Sequence, residues 1–338
     1  MIKEGIQKLV EFENLTQEQV YQIFNEIMKA EATPSQIASF ITALRMKGET
    51  VDEITGAALS MRSCSYKVQT PVNDIILDTC GTGGGKTSTF NISTAVAFVA
   101  AGCGIYVAKH GNRAVTSRSG SADVLEALGV NIQMPIERSA ECLKKVGMCF
   151  MFAPLYHPAM KYAMPPRKEI GIRTIFNALG PLSNPANANA QLLGVYEQKL
   201  TPVMAGVLKN LKSKRAYVVY GTDDGVDEVS ITGRTQISEL KENSVNTYTI
   251  TPEQIGIKRC AIKDIEGADA RTCAEIIKAI LSGEKGAKTD VVIANSIFAI
   301  LSAGKAQDIE DAKRLAQESI SSGKAYGKLN KLIEFSNI

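Results

Sequence analysis

DIILDTCGTGGGKTSTFNISTAVAFVAAGCGIYVAK, residues 74–109, is the stretch on which the fold turns. Its first seven residues read as a short buried strand, Asn91 to Cys103 as an apolar helix, and GIYVAK as a second strand. Strand, helix and strand in that order predict parallel pairing through a crossover. Between the first strand and the helix stand Gly81, Gly83, Gly84 and Gly85, then Lys86 and a run of hydroxyls. Glycines let main-chain N–H groups approach an anion closely, so the loop reads as a phosphate cradle. It matches neither common nucleotide loop. A P-loop needs glycine five residues before its Gly-Lys-Thr, where this chain has Cys80. A dinucleotide loop would follow Gly81 and Gly83 with a third glycine where Lys86 stands.

Outward from this stretch the same grammar continues. SADVLEALG and IERSAECLKKVG read as helices, and MCFMFAP, AQLLGVY and RAYVVYG as strands. A polar stretch from about 222 to 260 reads as hairpins, and the chain closes in three or four helices. Toward the N-terminus the pattern is purely helical. Capping boxes begin at Thr16, Thr33 and Thr50, and Pro34 takes a favoured first helical position. The expected fold class is α/β: a small N-terminal helical domain beside a large domain whose mainly parallel sheet is surrounded by helices.

Composition narrows the function. The chain has 338 residues, 45% apolar and 22% charged, the mixture of a soluble globular protein. A net charge of +3 is too small to imply a nucleic-acid partner. No apolar run reaches membrane-spanning length, and MIKEGIQKLVEFEN lacks the apolar core of a signal peptide. The seven cysteines are scattered without a C-x-x-C pair, as in a reduced cytoplasmic protein. The only histidines are His110 and His157.

Four constellations carry chemistry. The glycine loop runs into Thr89-Phe-Asn-Ile-Ser-Thr94, whose polar groups exceed what one helix cap requires. The segment from Lys109 to Ser121 gathers Lys109, Arg113, Arg118 and several hydroxyls with no acid before Asp123, which suits a polyanion. Gly221-Thr-Asp-Asp-Gly-Val-Asp-Glu-Val229 offers Asp227 and Glu228 to a magnesium ion that phosphates and water would complete. The proline-punctuated run from Ala153 to Pro185 holds Arg167 after Pro165-Pro166, free either to clasp a carboxylate or to pair with Glu169.

In order, these segments resemble the anthranilate phosphoribosyltransferases. That family's pattern includes a GTGG loop, an N-x-S-T helix start, KHGNR, and HPAMK followed by R-x-E-L-G-x-R-T-x-F-N-x-L-G-P-L-x-N-P and an Asp-Glu pair. KHGNR and RTIFNALGPLSNP are its most specific matches here. The resemblance implies a nucleoside phosphorylase/phosphoribosyltransferase-like fold. Residues 1–68 and a middle segment near 165–187 would form the helical domain, and 70–164 with 188–338 the α/β domain. It implies transfer of phosphoribose from phosphoribosyl pyrophosphate (PRPP) to the amine of anthranilate in tryptophan biosynthesis, with Mg2+, by a cytoplasmic homodimer.

Carried onto matching positions, the PRPP contacts would be Gly81, Gly84, Gly85, Thr89, Asn91, Ile92, Ser93 and Thr94. From the second loop come Lys109, His110, Gly111, Asn112, Arg113, Ala114, Val115, Thr116, Ser117 and Ser121. Gly81, Asn112 and Arg167 would contact anthranilate, and Ser93, Asp227 and Glu228 would serve the metal. No general base is expected; His110 is the one candidate. Relatives commonly have aspartate where this chain has Gly85. The expectation is that Gly85→Asp shifts the magnesium optimum of activity; an unchanged optimum would refute it. Two other readings of the same residues are a pyrimidine nucleoside phosphorylase-like enzyme and a catalytically silent nucleic-acid-binding relative. The KHGNR and RTIFN sequences speak against the first, and the presence of Asp227, Glu228 and Arg167 against the second.

Overall fold

The structure, a computed structural model, describes residues 1–70, 74–85, 87, 89–114 and 118–338. Four helices open the chain: α1 (Ile2–Val10), α2 (Gln17–Met28), α3 (Pro34–Lys47) and α4 (Val51–Ser63). All three expected capping boxes form, at Thr16 with Gln19, Thr33 with Gln36 and Thr50 with Glu53. Each such cap stabilises its helix by about 1 kcal/mol. Glu53 does more than cap, because its buried carboxylate also takes the Leu15 N–H at 2.9 Å and Lys47 Nζ at 2.9 Å.

The α/β part begins with β1 (Ile76–Gly81), α5 (Ile92–Gly102), β2 (Tyr106–Gly111), α6 (Ser121–Ala127), α7 (Ile136–Val146) and β3 (Met148–Phe152). The proline-punctuated run from Ala153 to Pro185 folds as short helices. These are α8 (Ala153–Tyr156), α9 (Met164–Ile170) and α10 (Phe176–Leu179), with 3-10 turns at Pro158–Tyr162 and Gly180–Leu182. Then come β4 (Ala190–Gly194), α11 (Leu200–Asn210), β5 (Arg215–Gly221), β6 (Thr235–Lys241) and β7 (Ser244–Ile250). Helices α12 (Ala270–Leu281), α13 (Ala287–Ser302), α14 (Ile309–Ser321) and α15 (Lys324–Ser336) end the chain.

One seven-stranded sheet has the order β3-β2-β1-β4-β5-β6-β7. β3, β2, β1, β4 and β5 run parallel, and β6 and β7 add an antiparallel hairpin at one edge. Its turn residues Glu242 and Asn243 both have positive φ, as a two-residue hairpin of matching twist requires.

Two apolar cores flank the sheet. One encloses α5, which is buried almost all round between the sheet and α13, α14 and α15. The other joins α1 to α4 with Ala163, Ile175, Phe176 and Leu179, and also with residues of β4, α11 and β5. Thus α11 is shared: it covers the sheet and packs on α4, with Asn210 Nδ2 donating to Thr55 Oγ1 at 3.4 Å.

Candidate active site

From β1 the chain winds out to β2 and β3, then returns to the other side of β1 as β4. The crevice at the carboxyl ends of β1 and β4 is therefore the switch point of the sheet, where open α/β sheets bind ligands. Gly81 and Gly194 face each other there. The glycine loop turns over β4 as the Thr82 N–H donates to the Gly194 carbonyl at 2.9 Å and the Tyr196 N–H to Thr82 Oγ1 at 3.1 Å. Gly83 and Gly84 then take φ of 68° and 78°, a region that side chains disfavour. Thr87 Oγ1 donates to the Asp224 carbonyl at 2.9 Å, and Thr89 bridges to Glu266.

The start of α5 is not an ordinary cap. Asn91 holds the cap position, but its side chain donates to the Ser119 carbonyl at 3.2 Å and so ties the second loop to the first. Ser93 Oγ accepts from Lys109 Nζ at 3.2 Å. Thr94 Oγ1 is buried with no hydrogen-bond partner among the described residues, which suits a polar ligand at this point. Ile92 places its side chain in the core.

Lys109, at the end of β2, is a fully buried cation that donates to the Thr79 carbonyl as well as to Ser93. Burial lowers its pKa, and the nearby Asp78, Cys80 and Glu228 push it back up. Asp78 is held by Asn184 Nδ2 at 2.8 Å and the His110 N–H at 3.3 Å; burial raises its pKa to about 6 against the pull of Lys109.

Asp227 and Glu228 follow a turn that Asp224 organises by accepting from the Val226 N–H and from the hydroxyls of Ser230 and Thr232. Buried Asn295 of α13 pins the next residue, accepting from the Val229 N–H at 2.8 Å and donating to its carbonyl at 3.0 Å. The pair spans the crevice. Asp227 lies over Gly81 and Gly85, whose missing side chains leave it room. Glu228 reaches the Ser93 N–H and Lys109. Burial raises both pKa values, that of Glu228 to about 8 with Asp227 as the second cause. Two crowded carboxylates beside a hydroxyl match the hard oxygen ligands of Mg2+, which uses one or two carboxylates and leaves the rest to phosphate and water. Among the described residues no three His, Cys, Asp or Glu side chains converge as a fuller metal site would require.

The second loop is less bare than its sequence suggested. Arg113 donates to Asp123 at 2.9 Å and to Glu126 at 2.8 and 3.0 Å, while Asp123 also accepts from the Ala114 and Gly120 N–H groups. Those donors are already committed, because the acid just past the loop folds back into it. Asn112 Oδ1 accepts from the Arg113 N–H at 2.8 Å, and Ser121 Oγ lies against Gly111. Val115, Thr116 and Ser117 lie outside the described residues.

On the side facing the helical domain, Arg167 of α9 stacks on Phe176 at 4.8 Å, and Phe176 packs on Phe24 of α2. Burial lowers the Arg167 pKa, its Nη1 donates to Met164 Sδ at 3.5 Å, and among the described residues no carboxylate pairs with it. The alternative of an ion pair with Glu169 is not what the structure contains. His110 and His157 lie 5.1 Å apart, one donating to the Gly180 carbonyl and the other to that of Ser183. Each Nε2 is buried without a partner among the described residues.

A glycosyl transferase family model of a helical bundle domain matches residues 3–65, and one of an a/b domain matches residues 73–326. The chain is 50% identical to the anthranilate phosphoribosyltransferase of Geotalea uraniireducens over 100% of both proteins. It is 52% identical to that of Acetivibrio thermocellus, over 100% of this chain and 97% of the relative. The chain belongs to the anthranilate phosphoribosyltransferase family. The Thermus thermophilus anthranilate phosphoribosyltransferase superposes with a TM-score of 0.93 at 37% identity, covering 99% of each chain. The Saccharomyces cerevisiae enzyme in complex with PRPP and Mg does so with a TM-score of 0.89 at 28% identity, covering 99% of this chain and 98% of that one.

At Gly85, where the resemblance leads one to expect aspartate, a Cβ would stand 2.9 Å from Asp227 Oδ1. An aspartate there would crowd a second carboxylate against Asp227, which is why Gly85→Asp is expected to change the magnesium requirement. Family likeness does not make His110 a base. Burial, with His157 beside it, pushes its pKa down to about 3, and burial takes His157 to about 4. Both rings stay neutral in the fold while the unfolded chain protonates below about 6.5. The unfolded state then binds more protons, so stability falls as pH drops from about 6.5 toward 4, by about 1.4 kcal/mol per pH unit for each ring. Asp78 and Glu228, with raised pKa values, act in the opposite sense over the same window, so the histidine contribution is read as a difference. In urea unfolding at pH 7.5, 6.5, 5.5 and 4.5, the pH slope of His157→Asn should differ from that of wild type by about half of the histidine contribution. An identical slope in the variant would contradict it.

Proposed function

We propose that the chain transfers the phosphoribosyl group of PRPP to the amine of anthranilate, releasing pyrophosphate and giving N-(5-phosphoribosyl)anthranilate for tryptophan biosynthesis. The observation that carries this reading is the meeting of the glycine loop, buried Lys109 and the Asp227–Glu228 pair at one switch point. It occurs in a chain that is 50% and 52% identical, along its whole length, to two anthranilate phosphoribosyltransferases.

In this reading the loop N–H groups, the start of α5 and Lys109 take the phosphates, together with Thr89, Asn91, Thr94, Asn112 and Ser121. Ser93, Asp227 and Glu228 hold Mg2+, which when bound offsets charge on the departing pyrophosphate. Lys109 donates to the same developing charge from a dry, fixed position. Arg167, stacked and without a counter-ion, receives the anthranilate carboxylate, with Gly81 and Asn112 beside the acceptor. The weakly basic histidines leave the amine's proton to the ortho carboxylate of anthranilate itself, so positioning and charge stabilisation account for the rate. Among the described residues no helix is long and apolar enough to cross a membrane. We read the working form as a homodimer.

The test is the fall in anthranilate fluorescence on adding PRPP to the purified protein, with and without Mg2+. A catalytic, magnesium-dependent fall is expected; no fall at any magnesium concentration would favour the nucleic-acid-binding alternative. Arg167→Ala should weaken anthranilate binding by ~1.5–3 kcal/mol, the range for hydrogen bonds to charged groups, and leave PRPP binding unaltered. An equal loss for PRPP, measured by titration calorimetry, would place Arg167 in the wrong half of the site.

A further inference from the structure

We propose that Arg173 is a positioning residue for the phosphate loop, holding the Gly84 carbonyl outward so that the neighbouring N–H groups face the ligand. This rests on the PRPP reading of that loop. Arg173 follows α9 by way of Gly171, whose left-handed φ of 63° turns the chain. Its Nη2 donates to the Gly84 carbonyl at 2.6 Å. Its guanidinium stacks on the Tyr196 ring at 4.7 Å. Tyr196 is itself bonded through its N–H to Thr82, so Arg173, Tyr196 and the loop form a closed circuit. The arginine also explains Gly84 beyond its φ of 78°: a Cβ there would lie 2.7 Å from Nη2.

The need for such a clamp follows from glycine. Gly83 and Gly84 have little steric resistance to peptide rotation, and a half-turn would aim a carbonyl oxygen at a phosphate. The planar fork of arginine can bond one carbonyl while lying flat on an aromatic ring, which a lysine ammonium cannot. Arg173 also stands six residues after Arg167 on the same short segment. The group that orders the donor loop and the group that receives the acceptor are thereby carried by one piece of chain.

The experiment compares wild type with Arg173→Gln, Arg173→Lys and Tyr196→Leu. In the ligand-free protein, amide hydrogen exchange in the 81–90 segment should quicken at least tenfold in Arg173→Gln, while exchange in α13 stays unchanged and shows an intact fold. Calorimetric affinity for PRPP with Mg2+ should fall at least tenfold in Arg173→Gln and nearly as far in Arg173→Lys. Tyr196→Leu should lie between them and wild type. The anthranilate KM should stay within twofold. Wild-type exchange rates and PRPP affinity in Arg173→Gln would overturn the proposal. So would full rescue by Arg173→Lys, which would make Arg173 a simple charge on the ligand. Failure of wild type to bind PRPP would instead strike the functional reading, and the exchange result would still decide whether Arg173 holds the loop.

Discussion

Gly194→Ala is expected to lower kcat/KM by at least ~100-fold, the cost of displacing a reacting constellation by about 1 Å. A Cβ at position 194 would fall far inside van der Waals contact with the carbonyl carbon and oxygen of Asp227. β4 cannot retreat to relieve the clash. It is paired on one side with β1 and on the other with β5, and its Gly194 carbonyl holds the Thr82 N–H. The segment carrying Asp227 must yield instead, moving the Asp227 carboxylate off Gly81 and Gly85 and drawing that of Glu228 away from the Ser93 N–H and Lys109. The loss should appear chiefly as a higher magnesium requirement and a lower kcat, with a smaller stability cost of about 1–3 kcal/mol, as for overpacked cores. Gly327→Ala in α15, where nothing lies within 4 Å of the added carbon, is the matched control. Kinetics at several magnesium concentrations, with thermal melts of both variants, would check this. Near-normal activity of Gly194→Ala at ordinary magnesium would mean that Asp227 does not need its present place.

That glycine is instructive about what a sequence discloses. The capping boxes at Thr16, Thr33 and Thr50 are written in four consecutive residues each, and all three form. The β1–loop–α5–β2 unit was equally plain, because strand length, glycine spacing and helix periodicity are local signals. The site's supports are different. Gly194 against Asp227, Arg173 against Gly84, Asn295 against Val229 and Asn184 against Asp78 all join residues remote in sequence. No local pattern marks such pairs. Arg113 shows the converse: its local context read as a free donor for phosphate, and the return of α6 committed it to Asp123 and Glu126. Loops declare which chemistry they can offer; the tertiary fold decides which of their groups stay available.

Lys109→Met is expected to reduce kcat by ~10²–10³, the range for removing one preorganised donor from a developing negative charge. Methionine keeps most of the stem's volume in a slot that is 1% exposed, so the loss would be of charge and not of packing. The change also alters the carboxylates that lean on this cation. Asp78, already at about 6, and Glu228, at about 8, would both titrate higher without Lys109 to favour their ionised forms. For buried Asp78 the sign follows from proton uptake. The folded chain binds a proton there that the unfolded chain releases near pH 4, so stability falls as pH rises through that window. In the variant this decline should reach to higher pH, leaving Lys109→Met relatively more stable near pH 5 than near pH 7. Lys109→Arg should not restore activity, because the larger fork does not fit between the Thr79 carbonyl and Ser93 Oγ. Steady-state kinetics at saturating PRPP, with melts at pH 5 and pH 7, would measure both effects. A kcat within tenfold of wild type would take Lys109 out of the transition state and leave it as a buried strut between β1, β2 and α5.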